Sequence, residues 1–382
     1  MGESIAQSNL ARRFAFIFRI AWLWLLYALV ASAVMHAYMY KWKFRTDDPS
    51  FSLESLVHFS ASHPYAERLL SPLLIRAASD WLPTELTQRF AQYLTQTSRL
   101  LMYRQAGDVW DLEKSLHYHI AYAYMFLCLI GLLLVGRRLT RIACSTGALF
   151  SDLAPVVALI FLPLTFHLGG FIYDFAELAL IGYATLALIE RRYLAFHLIY
   201  LVAILNKESN VLLIVYFALL AFPELNRRRR IAHALVLATT GLLLTLTILH
   251  VTRAAPGAPG ILNFAENVAF WCSPRSYFKV IEGYSPLVPF PQGLHCVNLF
   301  ILVAIVLLAH RRAPIRQRRL FFAMLAIGAP LLLTFGWQDE IRAMALCLIP
   351  LYLLACHALK YVYDNVELHQ RAASEHSLNE GR

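Results

Sequence analysis

The chain has 382 residues, of which 59% are hydrophobic and only 15% are charged. A soluble domain of this size carries about 25% charged residues. Several apolar runs approach the roughly 20 residues needed to cross a bilayer, so the composition excludes an ordinary soluble protein and predicts a polytopic membrane protein. The net charge of +10 does not predict a nucleic-acid partner, because the basic residues cluster in short loops between apolar runs, as in membrane proteins.

The predicted fold is an all-α polytopic membrane protein with about ten transmembrane helices, interfacial helices in its first outer loop and both termini cytoplasmic. It forms a single transmembrane domain over residues 1–362, with outer loops at 41–116 and 252–295 and a polar, poorly ordered cytoplasmic tail at 363–382. Most of the predicted spans lie at 14–40, 116–135, 171–189, 231–251, 320–335 and 343–359, with others ending near 167 and 309.

The segment 194–222 allows two interpretations. Two apolar stretches of 12 residues flank Asn206-Lys207-Glu208-Ser209-Asn210, and each is about 18 Å long as a helix. A single crossing would place Arg191-Arg192 and the later arginine run on opposite faces of the membrane. A hairpin places both on the cytoplasmic side, as the positive-inside rule favours, so we predict a hairpin whose polar tip lines a wet cavity.

The first outer loop is too long for a simple connection. Apolar residues recur at helical spacing over 69–77, and a weaker stripe follows over 86–101. Both are predicted to lie on the membrane surface with the apolar face down. The alternative interpretation is an interfacial lid without chemistry.

The predicted topology gathers unusual charges on the outer face. Asp47 and Asp48 follow the first span, and Asp174 and Glu177 are three residues apart, so they share one helix face. The remaining candidates are Arg68, Lys207, Glu208, Asp339, Glu340 and Arg342. Cations beside carboxylates suit an anionic phosphate ligand and a base that activates a hydroxyl. The alternative is that these charges only pair with one another and hold the bundle together.

Other catalytic signals are missing from the sequence. It contains no Gly-rich phosphate loop and no Gly-x-Ser-x-Gly motif. His58 and His63 are five residues apart, which is a weak metal pair, so no metal site and no cofactor are predicted, and dependence on a divalent metal is left open. Because the outer compartment lacks ATP, the energy must come with the substrate. A lipid-linked phosphosugar meets that need, since its phosphate is the leaving group.

This layout resembles the GT-C class of integral membrane glycosyltransferases, which have many spans, an acidic motif just after the first span and interfacial helices in that loop. By this resemblance, Asp47 or Asp48 would be the base for the acceptor hydroxyl, and Lys207 and Arg342 would hold the donor phosphate. Glu208 is expected to position Lys207, and Asp48 is favoured as the base because Pro49 restricts its backbone. The segments 63–74 and 205–209 also resemble parts of bacterial membrane proteins of this general type.

The resemblance implies transfer of a sugar from a polyprenyl-phosphate donor to an acceptor on the outer face of a bacterial inner membrane. The expected partners are the lipid-linked donor and membrane lipid, with no nucleic acid, and the acceptor is left open. The alternatives are a transporter or flippase of a lipid-linked glycan, a surface-polysaccharide polymerase or ligase, and a non-catalytic membrane protein. Inverted repeats, which many transporters have, are not evident in the sequence.

The cysteines add one covalent prediction. Four of the six fall in or beside spans and are expected to be packing residues. Cys272 and Cys296 bracket the second outer loop, and an oxidising outer compartment permits a disulfide between them. Two free thiols are the alternative, because spacing does not prove pairing.

Overall fold

The computed structural model describes residues 2–45, 48–83, 85, 87–89, 92, 93, 111–162, 170–258, 260, 262–278, 280, 281, 290, 291 and 293–380. Its helices are α1 (Gly2–Trp42), α2 (Leu53–Val57), α3 (Leu70–Trp81), α4 (Leu112–Ala143), α5 (Ala148–Phe161), α6 (Asp174–Ile189), α7 (Tyr193–Asn206), α8 (Leu213–Leu220), α9 (Arg227–Thr252), α10 (Phe264–Cys272), α11 (Cys296–His310), α12 (Ile315–Phe335) and α13 (Ala345–Glu380). A two-residue ladder pairs β1 (Val280–Ile281) with β2 (Phe290–Pro291) in antiparallel register.

Five helical segments in the described part of the chain are long and apolar enough to cross a membrane. They are Ile17–Arg45, Leu112–Ala143, Arg227–Thr252, Ile315–Phe335 and Ile341–Asn365. The other apolar runs of the sequence also contain helices, but these are shorter. A helix of 14 residues such as α7 measures about 21 Å, which is less than the roughly 30 Å hydrocarbon core.

The centre of the bundle is built around α6, which packs against α4, α7 and α13. Nearly every side chain of α6 is buried, which is why its sequence lacks a polar face. Large aromatic residues of α7 and α8, including Phe196, Tyr200, Tyr216 and Phe217, complete the core. By contrast, leucines of α9 such as Leu235 and Leu242 point outward, as a lipid-facing helix requires.

The short Arg-rich loops meet at one end of the bundle, which we call the basic end. Asp152 and two glutamates, Glu190 and Glu224, join these loops by ion pairs. The pairs are Arg19–Asp152 at 2.5 Å, Arg137–Asp152 at 2.6 Å, Arg138–Glu190 at 2.5 Å, Arg191–Glu224 at 2.6 Å and Arg316–Glu224 at 2.8 Å. The hydrogen bond from Arg316 lowers the pKa of Glu224, so this carboxylate remains charged among the arginines.

The segment between the two arginine clusters is a hairpin, as predicted. Helix α7 ends at Asn206, a 3₁₀ turn spans Glu208–Leu212, and α8 returns toward the basic end. The Arg191–Glu224 ion pair closes the base of this hairpin, whereas Lys207 lies at the opposite end of α6. The polar tip and the arginine clusters therefore lie at opposite ends of the bundle.

The loop at 41–116, which is predicted to be the first outer loop, is partly helical, as the apolar stripe over 69–77 predicts. Helix α3 buries Ser71, Pro72 and Ile75, while Leu73 and Leu74 are 45% and 47% exposed. Part of its apolar stripe is thus exposed, which suits a helix that lies on a membrane surface. Most of the weaker stripe over 86–101 falls outside the described residues.

The predicted polar tail belongs to α13, which continues as one helix to Glu380; residues 363–380 contain no Gly or Pro and are rich in good helix formers. The predicted disulfide is not formed, since Cys272 and Cys296 are both free thiols. Cys272 is the last residue of α10, next to Trp271, which donates a hydrogen bond to the Gln338 carbonyl at 2.9 Å. The Cys296 thiol lies 3.7 Å from His295 Nδ1.

Candidate functional site

Most of the predicted charges converge at the end of the bundle opposite the basic end. They form what we call the charged cluster, whose members come from the first outer loop, the start of α6, the hairpin tip and the turn before α13. The cluster comprises Arg68, Asp174, Glu177, Lys207, Glu208, Glu340 and Arg342. Glu177 lies within electrostatic reach of both Asp174 and Arg68, so the ion pairs form one network.

The most deeply buried pair of the cluster joins Lys207 to Glu177. Lys207 Nζ donates to Glu177 Oε2 at 2.9 Å, and the two side chains are 8% and 2% exposed. The expectation that Glu208 positions Lys207 is therefore wrong. Lys207 has extended backbone angles (φ −163°, ψ 131°), and neighbouring side chains on extended backbone point to opposite sides, so Lys207 points toward α6 and Glu208 toward Arg68.

Arg342 binds two carboxylates. Its guanidinium contacts Asp174 Oδ1 at 3.4 Å and forms a short ion pair with Glu340. The other oxygen of Asp174 accepts the backbone N–H of Phe171 at 2.8 Å, and the guanidinium lies 4.4 Å from the centre of the Phe171 ring. Arg342 is thus held by charge and by an aromatic face, which is a geometry that suits arginine better than lysine.

Arg68 differs from Lys207 and Arg342 because two of its guanidinium nitrogens have no hydrogen-bond partner among the described residues. Its side chain is 9% exposed, and its nearest carboxylate oxygen, Glu208 Oε2, is 3.8 Å from Nε, which is beyond hydrogen-bonding distance. Within the described residues, neither Nε nor Nη1 of Arg68 has a hydrogen-bond partner. A buried guanidinium with unmet donors is costly and is suited to an anion that can accept two parallel hydrogen bonds.

Aromatic rings surround these arginines. Phe171 and Tyr173 stack with ring centres 5.3 Å apart, and Tyr65 packs against Phe171 at 5.0 Å. The Arg68 guanidinium lies 4.5 Å from the centre of the Tyr173 ring and 5.0 Å from that of Tyr65. Cation–π contacts of this kind are stronger where water is excluded, so the rings fix the planes of both guanidinium groups.

Asn206 attaches the hairpin tip to its surroundings. It is fully buried, and its amide nitrogen donates to the Tyr173 carbonyl at 3.0 Å, while its amide oxygen accepts from Ser71 Oγ at 3.2 Å. The Ser71 hydroxyl also hydrogen-bonds Tyr124 at 2.9 Å. One side chain therefore connects the tip to the start of α6 and to α3 of the first loop.

The predicted base lies just after a strained turn. Lys43, Phe44 and Arg45 have φ values of 46°, 56° and 54°, a left-handed run that costs about 1–2 kcal/mol per residue. Such strain often occurs at functional positions. The turn buries Phe44 against Tyr118, with ring centres 4.6 Å apart, and it sends Arg45 over the Phe51 ring at 4.4 Å.

The two candidate bases differ in what the structure describes. Asp47 lies outside the described residues. Asp48 accepts the backbone N–H of Ser50 through Oδ1 at 2.8 Å, and it forms no ion pair with another described residue. Its carboxylate is therefore not committed to a cation, as a general base requires, but it is not part of the charged cluster.

Two further acids complete this end of the molecule. Asp339 is buried and packs against Gly293, where a Cβ atom would come within 2.0 Å of Asp339 Oδ2. In the first loop, His63 Nδ1 lies 2.9 Å from Glu67 Oε1. Burial raises the pKa of Glu67, although the hydrogen bond from His63 opposes this shift. Ionising Glu67 therefore costs the folded state free energy as the pH rises through the normal glutamate range.

The sequence missed several components of the site. The aromatic rings of Phe51, Tyr65, Phe171 and Tyr173 gave no signal, because single aromatic residues at membrane interfaces are common. Asn206 was noted only as part of a polar turn. Its position between two apolar stretches was the available signal, because a buried amide must be hydrogen-bonded.

No protein-family model matches this chain, and no curated protein or solved structure matches it significantly.

The Lys207–Glu177 pair makes a testable prediction about stability. Lys207→Met leaves the Glu177 carboxylate buried and unpaired, and breaking such a pair costs about 3–5 kcal/mol. Adding Glu177→Leu removes the unpaired charge, so the double variant should recover most of the loss. Thermal unfolding in detergent measures both. Equal stability of the single variant and the wild type would contradict a buried ion pair at this position.

Proposed function

We propose that this protein is a membrane glycosyltransferase of the GT-C type, which transfers a sugar from a polyprenyl-phosphate donor to an acceptor hydroxyl at the outer face of a bacterial inner membrane. The observation that carries this proposal is Arg68, a buried guanidinium with two unmet donor nitrogens inside the charged cluster. A site built in this way suits the phosphate of a lipid-linked donor.

The donor phosphate is assigned to Arg68 and Arg342 in this proposal, and Lys207 becomes a supporting residue. The ammonium of Lys207 is already bound to Glu177 at 2.9 Å in a buried pair. Arg342 retains one unmet donor, since its Nε has no hydrogen-bond partner in the described part of the chain. Arg342 contacts Phe171 and Arg68 contacts Tyr173, so the two guanidinium groups are linked through one stacked pair of rings.

The transfer step needs one base and one leaving group. The acceptor oxygen attacks the anomeric carbon of the sugar, and the bond from that carbon to the phosphate oxygen breaks. Polyprenyl phosphate leaves with the bonding electrons, while the acceptor proton passes to the carboxylate of Asp48 or Asp47. The arginines stabilise the charge that develops on the leaving phosphate, which is the usual role of preorganised cations in transfer reactions.

This function requires the charged cluster to face the outside. We propose ten membrane crossings with both termini cytoplasmic, so that the basic end faces the cytoplasm. The ion pairs that gather the arginine loops at one end support this arrangement. The shorter helices α5, α6, α7, α8 and α11 then supply the other five crossings.

Single cysteines test this topology. In a background with Cys272→Ser, cysteines introduced at Arg192 and Arg229 should be labelled only from the cytoplasmic side. A cysteine introduced at Ala258 should be labelled only from the outside. Labelling of positions 192 and 229 from opposite sides would contradict the hairpin, and labelling of positions 229 and 258 from the same side would contradict the crossing by α9.

Arg68 gives the binding prediction. Arg68→Ala should weaken the binding of polyprenyl phosphate by about 2 kcal/mol or more, which is roughly 30-fold, because a buried charged hydrogen-bonding partner is lost. Arg68→Lys should restore only part of the lost affinity, since an ammonium lacks the planar, forked donor geometry of a guanidinium. Arg76→Ala on the exposed side of α3 is the matched control. Titration of polyprenyl phosphate into detergent-solubilised protein measures all three, and equal binding by Arg68→Ala and the control would refute the assignment.

Asp47 and Asp48, the two candidate bases, give the kinetic prediction. Loss of a general base costs about 10² to 10⁴ in rate, so Asp48→Asn or Asp47→Asn should reduce sugar transfer by that factor and leave polyprenyl phosphate binding unchanged. Asp80→Asn, on the exposed face of α3, serves as the control. Transfer from labelled polyprenyl-phosphate sugars to membranes of a deletion strain provides the assay. Wild-type rates in both variants would exclude the acidic pair as the base.

A transporter of lipid-linked glycan is the second candidate function. The buried Lys207–Glu177 pair favours it, because ionisable pairs inside membrane bundles also occur along transport pathways. The two functions differ in the product. An enzyme forms a new glycosidic bond, whereas a transporter moves an unchanged lipid-linked glycan across the bilayer of a reconstituted vesicle.

A further inference from the structure

Two histidines and a glutamate meet in the first outer loop, apart from the ion pairs of the charged cluster. Glu54 and His58 lie one turn apart at α2, and His117 belongs to the first turns of α4. One ligand atom from each of the three residues lies within 4.8 Å of the other two. Two imidazoles and a carboxylate are a ligand set that catalytic zinc sites use.

The distances fit a metal better than a direct hydrogen bond. Glu54 Oε2 lies 3.4 Å from His58 Nε2 and 3.5 Å from His117 Nδ1, whereas charged hydrogen bonds are about 2.7–2.9 Å long. Zinc bonds of about 2.0–2.1 Å in tetrahedral geometry place two ligand atoms about 3.3–3.5 Å apart. Both distances from Glu54 Oε2 therefore match the spacing of ligands around one ion, and the two imidazole nitrogens lie within 4.8 Å of each other.

The burial and hydrogen bonding of the three residues also fit a metal-binding group. The other oxygen of Glu54, Oε1, is buried and has no hydrogen-bond partner among the described residues, which is unusual for a carboxylate. His117 is buried, while the His58 side chain is 48% exposed, so the group is fixed on one side and open to solvent on the other. Glu113 Oε1 lies 3.7 Å from His58 Nε2 at the open side.

We propose that Glu54, His58 and His117 form a site for a divalent transition metal of the zinc class, with a fourth position open to water or to Glu113. Carboxylate and imidazole ligands favour such ions over magnesium or calcium, which prefer all-oxygen sites. The site is independent of the proposed sugar transfer, because it uses none of the residues assigned to the donor phosphate or to the base.

Zinc binding tests the site directly. The full chain, purified with a tag that lacks histidine and stripped with a chelator, should bind one equivalent of Zn²⁺ in competition with a chromogenic chelator. His58→Ala and Glu54→Gln should each weaken this binding by at least about tenfold, since even outer-shell substitutions cost 10–100-fold. His119→Ala is the matched control, because His119 lies two residues from His117 and hydrogen-bonds the Ser115 carbonyl instead.

Two further measurements keep the test decisive. The exposed His58 can be replaced without opening the core, so a variant that elutes as a single species but has lost zinc supports the site. Substituting Co²⁺ should give visible absorption typical of a tetrahedral site, which His58→Ala should abolish. The chain has 14 histidines, so equal Zn²⁺ binding by the wild type and a His58→Ala, His117→Ala double variant would mean binding elsewhere and would overturn the proposal. Absence of tight binding by the wild type would also overturn it.

Discussion

The buried ion pair between Lys207 and Glu177 is the contact on which the rest of the charged cluster depends. Removing either charge from water costs several kcal/mol, so the lysine at the tip of a short hairpin must meet a carboxylate at the same depth. Glu177, one turn into α6, provides it at 2.9 Å. Beside this contact at the hairpin tip, Asn206 donates to the Tyr173 carbonyl and Glu208 is directed toward Arg68.

Much of this arrangement follows from the sequence, because it rests on large and simple effects. Apolar runs predict where helices form, and the clusters at Arg191-Arg192 and 227–230 predict that the chain turns back at Lys207. The spacing of Asp174 and Glu177 predicts a shared face, which the structure confirms through their cations, Arg342 and Lys207. These predictions depend on membrane depth and helical period, and not on the exact position of any side chain.

The sequence does not predict which charged residues pair with one another, because the pairing depends on local backbone geometry. Sequence proximity suggested Glu208 as the partner of Lys207, but extended angles at Lys207 separate the two side chains. The left-handed turn at 43–45 contains no glycine, so residue type did not reveal it. The residues of the proposed metal site could not be grouped from the sequence because His117 lies on α4, beyond the rest of the first loop, and only folding brings it to Glu54 and His58.

The three cations of the cluster differ in how firmly they are held, and this difference determines where an anion can bind. Lys207 and Arg342 contact carboxylates that are nearly inaccessible to water, and of these two cations only Arg342 keeps a donor nitrogen without a hydrogen-bond partner among the described residues. Arg68 faces Glu208, whose side chain is 33% exposed and 3.8 Å away. In the proposed function, the donor phosphate would take the place of Glu208 while water solvates the displaced carboxylate, and the Tyr65 and Tyr173 rings would keep the guanidinium in position. The weakest ion pair of the cluster is thus the one that leaves room for a ligand.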